Sequence, residues 1–393
     1  MINYELFYAK SDNTISFIET KIKKSDDVGV IIAAIEVIKY ICSDIGEYRS
    51  FRIHKKFLRL LLDCMKKGVD DRIRLAASEA FTYAVTYLDE DFTFPAQRDE
   101  IMATLFGILE SSNEKLQLSA LSCYAEVFCV CYDFCEQYLT EEFILITTNV
   151  MKTTTNEFLV RTAVEFWNTV VSSDIETIKM NEKEKMSYRR VIYYSKKAAS
   201  IIVPCLFELL CLANPDDDAW TFPDSAAVTL KSFVQLCSKE LLGVIVTILM
   251  SNWSENSVER REATMLFLGI VIDNCGSSEV DTILQYSFDI VTKLCKDKSI
   301  RVRRRAFEAL GYIYWMHNQY ARDIEKTKKS FNIAFDETLD DPKLAYSRLW
   351  ALGHIIEASY LSVTENSPER PETLWASCYF QRLFELSFES LNL

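Results

Sequence analysis

The strongest constraint on the fold of this chain is a recurrence of small residues at a fixed interval. Gly269, Gly311 and Gly353 fall 42 residues apart. Each closes a similar stretch: Met265-Leu266-Phe267-Leu268-Gly269, Phe307-Glu308-Ala309-Leu310-Gly311 and Leu349-Trp350-Ala351-Leu352-Gly353. Upstream, Ala77, Ala120 and Ala163 fall 43 apart, in Leu75-Ala76-Ala77, Leu118-Ser119-Ala120 and Arg161-Thr162-Ala163. A period of this length is that of a helix pair stacked on copies of itself. Small residues let a neighbouring helix approach, and apolar residues at i, i+3, i+4 and i+7 fill the seam. In the unit opening at Ser299 that stripe is Val302, Ala306, Ala309, Leu310 and Ile313. Asp71, Asn113, Asn156 and Asp297 precede such helices as N-caps or first-turn acids. The Asp-then-Arg pattern, Asp297 to Arg301 and Asp341 to Arg348, adds charge bridging between repeats.

Each small-residue helix is followed by an apolar one, among them His54 to Lys67, Arg98 to Leu109, Glu141 to Met151 and Thr282 to Cys295. The chain holds only 9 Gly and 7 Pro, which disfavours the turn-rich all-β folds. The expected architecture is all-α: a HEAT-repeat α-solenoid, a superhelix of about eight antiparallel helix pairs. One domain covers 1–393, with a partial repeat at 1–25 and the pairs from 26 onward. Extra, mostly polar sequence at 174–190 stretches one unit, and an acidic loop occupies 214–220. Stacked pairs present a long surface suited to macromolecular partners.

Net charge is −13. That sign repels nucleic acid and anionic membrane and attracts basic proteins. Arg301, Arg303, Arg304 and Arg305 point in different directions on a helix, so they are expected to bridge repeats rather than bind nucleic acid. The 12 cysteines have no framework spacing and only three histidines exist, which predicts buried free thiols, a reducing compartment and no metal site. Met1 to Lys10 lacks a signal-peptide layout. The longest apolar run, 201–213, contains Pro204 and Glu208 and is too short to span a bilayer, so no membrane insertion is expected. Phosphate loops, nucleophile elbows and paired metal ligands are absent from the sequence, which argues against an enzyme and against any cofactor.

Several stretches resemble one family closely. Ile35-Glu36-Val37-Ile38-Lys39-Tyr40-Ile41-Cys42-Ser43-Asp44-Ile45 and Ala163-Val164-Glu165-Phe166-Trp167-Asn168 are similar to repeats of the importin-β (karyopherin-β) family of nuclear transport receptors. Ile201-Ile202-Val203-Pro204 leads, as in that family, to an acidic run ending in Trp, here Asp216-Asp217-Asp218-Ala219-Trp220, and then to Ser225-Ala226-Ala227-Val228. The resemblance continues through 252–269 and 297–311. It covers an inner stretch, from about the family's fourth repeat to its tenth.

The resemblance implies partners and sites. Asp216, Asp217, Asp218 and Trp220 correspond to a loop that touches the basic segment of importin-α-type adaptors, and Ran. Trp350 matches an inner-surface Trp that packs on an arginine stem of cargo, an arrangement that offers a π face to a guanidinium. Asp174 and Glu176 fall where the family has acids facing Ran or cargo. Ile35 and Ile38, with Tyr83 and Tyr87 opposite, match the walls of a slot for Phe-Gly nucleoporin repeats on the outer side; a Phe entering it buries on the order of 100–200 Å². The implied function is a nuclear transport receptor that carries basic nuclear-localisation cargo or an adaptor, answers to Ran GTPase, and works in the cytoplasm and nucleus and at the nuclear pore and envelope. The alternative is a HEAT-repeat scaffold for a multiprotein complex, of the phosphatase-scaffold or adaptin kind, which needs neither the slot nor the acidic Trp loop.

Overall fold

The computed structural model describes residues 4–44, 51–87, 92–184, 189–212, 222–335 and 341–366. Its helices in chain order are α1 (Tyr4–Lys24), α2 (Val28–Asp44), α3 (Phe51–Met65), α4 (Asp71–Ala84), α5 (Pro95–Leu109), α6 (Glu114–Val130), α7 (Glu141–Thr153), α8 (Glu157–Glu184), α9 (Tyr194–Leu210), α10 (Phe222–Asn252), α11 (Val258–Asn274), α12 (Ser277–Leu294), α13 (Ile300–Met316), α14 (Ile324–Phe335) and α15 (Pro342–Asn366). No strand occurs among the described residues. The chain divides into two compact units, Met1–Ala198 and Ala199–Leu393.

In the first unit α2, α4, α6 and α8 lie side by side in order. Their shared seam is made of the small residues: Ala77, Ala120 and Ala163 are completely buried. The repeat is visible in the hydrogen bonds, which join equivalent positions about one period apart. Ser78 Oγ meets Ser119 Oγ at 2.7 Å, Lys39 Nζ donates to Glu79 at 3.2 Å, and Asn156 Nδ2 donates to Glu114 at 2.8 Å. Capping follows expectation at Asn113, whose side chain accepts from Lys115 N, and at Asn156, which accepts from Phe158 N at 3.1 Å. At α4 the N-cap is Asp70, and Asp71 sits in the first turn.

The pairing has a different phase from the one expected. The apolar α3 packs chiefly on α4, α5 on α6 and α7 on α8, so each small-residue helix closes its pair. Residues 174–184 do not form a separate connection; they continue α8 as a helix to Glu184.

In the second unit α11, α13 and α15 form the corresponding row, with α12 packed on α13 and α14 on α15. Helix α10 meets the length and composition of a membrane span. It breaks, however, at Cys237 (φ −118°, ψ 17°) into two segments, each too short to cross a bilayer. Its first segment is a row member, tied to α11 by Lys231–Asp273 at 3.2 Å. The arginine run is taken up in ion pairs within and between helices. Arg301 pairs with Glu262 at 2.6 Å and Arg305 with Glu308 at 2.8 Å. Asp297 does not pair with Arg301: it takes a two-pronged contact from Arg261, at 2.8 and 3.1 Å.

Candidate functional site

The expected sites fare unequally. Asp216, Asp217, Asp218 and Trp220 lie outside the described residues, as does the side chain of Tyr87. Ile35 and Ile38 are completely buried. With Ala34 and Cys42 they form the inward stripe of α2, so they cannot wall an open slot. Tyr83 is 45% exposed on α4, with Lys39 Nζ 5.9 Å from its ring centre.

Asp174 is not a surface acid. It is fully buried on the stripe of α8 that also holds Trp167, Val170 and Val171. Its carboxylate accepts from Ser195 N at 2.9 Å, Ser195 Oγ at 2.6 Å, Tyr194 N at 3.3 Å and the Tyr132 hydroxyl. Two of these donors are orphan N–H groups at the start of α9, so Asp174 acts as a remote cap that fastens α9 to α8. Burial, reinforced by the Asp174 hydrogen bond, pushes the Tyr132 phenol well above its ordinary pKa. Glu176, one turn-fraction away, is exposed.

Trp350 belongs to an aromatic cluster between α13 and α15. Its ring lies 5.1 Å from Tyr312, 5.9 Å from Trp315 and 4.7 Å from His354, edge-on to all three. Gly311 makes this possible: a Cβ there would overlap the six-membered ring of Trp350. One repeat earlier, the Tyr312 ring lies 3.6 Å from where a Cβ on Gly269 would be, an ordinary contact that a methyl group would tolerate. The aromatic ring of the next helix thus demands glycine at 311 and only rests against it at 269. Trp315 was not among the expected site residues, although it lies one turn beyond Gly311 and so shares its face. It is 51% exposed and stacks on His354 at 5.4 Å.

Beside the cluster, a groove of about 270 Å³ crosses α10, α11 and α13, floored by Ala227, Leu266, Gly269 and Ala309 and ending at Tyr312. Its rims are the Lys231–Asp273 and Arg305–Glu308 pairs. Burial, then the negative charges of Asp273 and Glu308, raise the Tyr312 pKa. The surface thus combines open π faces and an apolar floor with rims of paired charge, chemistry suited to a ligand that brings apolar groups and a flat or cationic group to the rings. Among the described residues no group of His, Cys, Asp and Glu is arranged to hold a metal ion.

No family model matches the chain. It is 23% identical over 332 residues to importin subunit beta-1 of Schizosaccharomyces pombe, covering 82% of this chain and 38% of that protein. Solved structures of Kap95p, the yeast importin-β, superpose on nearly all of it. The Kap95:Nup1 complex gives a TM-score of 0.86 at 18% identity, over 99% of this chain and 44% of Kap95. Kap95p with RanGDP gives 0.84 at 18% identity, with the same coverage. The fold is that of importin β. The chain is thus similar in sequence to importin subunit beta-1 and spans about two fifths of the length of the relatives it matches.

Proposed function

We propose that this segment is the gripping part of a nuclear transport receptor of the importin-β type, which holds a basic adaptor or nuclear-localisation cargo on the row of helices that carries Trp350. The observation that carries this is the coincidence of an importin-β fold with an acidic chain that exposes, among the described residues, a cluster of aromatic rings with Glu357 beside it. The sequence adds a run of three carboxylates and an indole, Asp216–Asp218 with Trp220, which the resemblance assigns to the same kind of basic partner. Ran GTPase competes for the same acidic surface, and Kap95p, of like fold, is known in a complex with RanGDP. Phe-Gly nucleoporins are further partners, in keeping with the Kap95:Nup1 complex; their contact is proposed without Ile35 and Ile38, which are buried. Such a receptor works between cytoplasm and nucleus and at the nuclear pore.

Titration with an Arg/Lys-rich helix of the importin-α type, at low and high salt, tests this. Binding is expected to weaken steeply with salt, because exposed charges are screened beyond about 8–10 Å at physiological ionic strength. Asp216→Ala with Asp218→Ala should weaken it further at low salt. Undetectable binding, or binding indifferent both to salt and to the double substitution, sinks the proposal.

A further inference from the structure

The four rings between α13 and α15 are not equivalent. Trp350 is fixed over Gly311 and its edges are covered. Trp315 is open: about half its surface faces solvent, and the imidazole of His354 backs it in a near-parallel stack, 20° between planes. A side chain as large as Trp contributes to a fold chiefly through the apolar area it removes from water, and here much of that area stays wet. Glu357 stands beside the stack, 64% exposed, bonded to His354 Nδ1 at 3.3 Å and to no Lys or Arg among the described residues. The open indole therefore has a carboxylate within reach, and the groove that ends at Tyr312 leads directly to it, since Tyr312 and Trp315 lie 5.9 Å apart.

We infer that Trp315, backed by His354 and flanked by Glu357, is a guanidinium platform that selects arginine over lysine in the segment bound along this row. A guanidinium is planar and weakly hydrated; it stacks on the indole while its in-plane N–H groups stay free to donate to a carboxylate. An ammonium is a compact, strongly hydrated charge that gains less from a flat π surface. The Gly269 groove beside Tyr312 then accommodates an apolar neighbour of that arginine. The identity of the bound segment rests on the function proposed above; the chemistry of the platform does not.

Two basic peptides identical except for Arg or Lys at every basic position are titrated into the full chain and into Trp315→Ala and Trp315→Phe. The wild-type protein should favour the arginine peptide about five- to tenfold. Trp315→Ala should bring that ratio close to one with the lysine peptide unaffected, and Trp315→Phe should keep part of the preference. Trp315→Ala gives up the buried half of the indole and should unfold at a somewhat lower temperature than wild type, with Trp315→Phe closer to it, so binding is compared well below both transitions. An unchanged Arg/Lys ratio in Trp315→Ala overturns the platform while leaving the transport reading intact, because both peptides still bind through charge. Should neither peptide bind, the transport reading falls, and the platform is judged with N-acetylarginine amide alone. Quenching of indole fluorescence that is lost in Trp315→Phe supports it, and no quenching in wild type overturns it.

Discussion

A carboxylate buried without a Lys or Arg beside it survives only where N–H and O–H donors converge on it. Asp174 meets that condition with two backbone N–H groups and two hydroxyls. Asp174→Asn keeps the shape but turns an amide NH₂ toward donors, leaving at least one backbone N–H of α9 unpaired. The expected loss is about 2–4 kcal/mol in urea unfolding at neutral pH. A change near zero would show that α9 does not depend on this cap. The burial of Asp174 was readable in the chain, since it falls at helical spacing from Ala163, Trp167 and Val170, all buried. Reading it by family position alone placed it on the surface. Gly311 raises the converse issue: its role needs a ring from another repeat, which no local pattern shows. Gly311→Ala should cost about 1–3 kcal/mol by forcing Trp350 aside. The loss should shrink when combined with Trp350→Leu, and strict additivity of the two substitutions would refute that contact.

Between elements, α11 is tied to the start of α13 by Arg301–Glu262 and, through one acid, by Asp297. Asp297 receives Arg261 on both oxygens and also accepts from Ser299 N at 2.8 Å. Burial works to raise its pKa, but the Arg261 bond, the Ser299 N–H and the charges of Arg261 and Arg303 outweigh it, so the carboxyl sits below the ordinary range. A pKa depressed on folding gives stability that is complete above the unfolded value, about 3.9, and is lost as pH falls through the folded one. Asp297→Asn should therefore be less stable than wild type by about 1–3 kcal/mol at neutral pH. The gap should begin to narrow as pH falls below the unfolded value and close as the folded carboxyl takes up its proton; a gap that fails to narrow over that range would place the stabilisation elsewhere. The period of the repeat was legible because the small residues mark the seam. The phase was not, because a seam between repeats does not say which apolar helix completes each pair. The one local clue is connection length: α5 to α6 and α7 to α8 are joined by shorter turns than α4 to α5 and α6 to α7, and this becomes a signal only once helix ends are known.

Across the whole molecule the cysteines report how tightly the seams are closed. Among the described residues they are free thiols, and Cys123, Cys135, Cys237 and Cys295 are completely buried. Burial pushes Cys123 up to about 12, and likewise the half-buried Cys211 and Cys275. Only the thiolate reacts, so a raised pKa slows alkylation even where a reagent can enter. Among the described cysteines Cys129, exposed on α6, should be modified first when native protein is treated with iodoacetamide at neutral pH and mapped by mass spectrometry. Cys211 and Cys275 should lag and then catch up as pH rises, because access is partial and ionisation limits them. Cys123 and Cys237 should label only through opening of the helix rows, at a rate that low urea increases. Cys123 is the decisive position, because its thiol meets Thr82 and donates to Ser78 O across the α4–α6 seam. If it labels as fast as Cys129, that seam is open in solution, and the small residues Ala77 and Ala120 do not hold the first unit's row of helices closed.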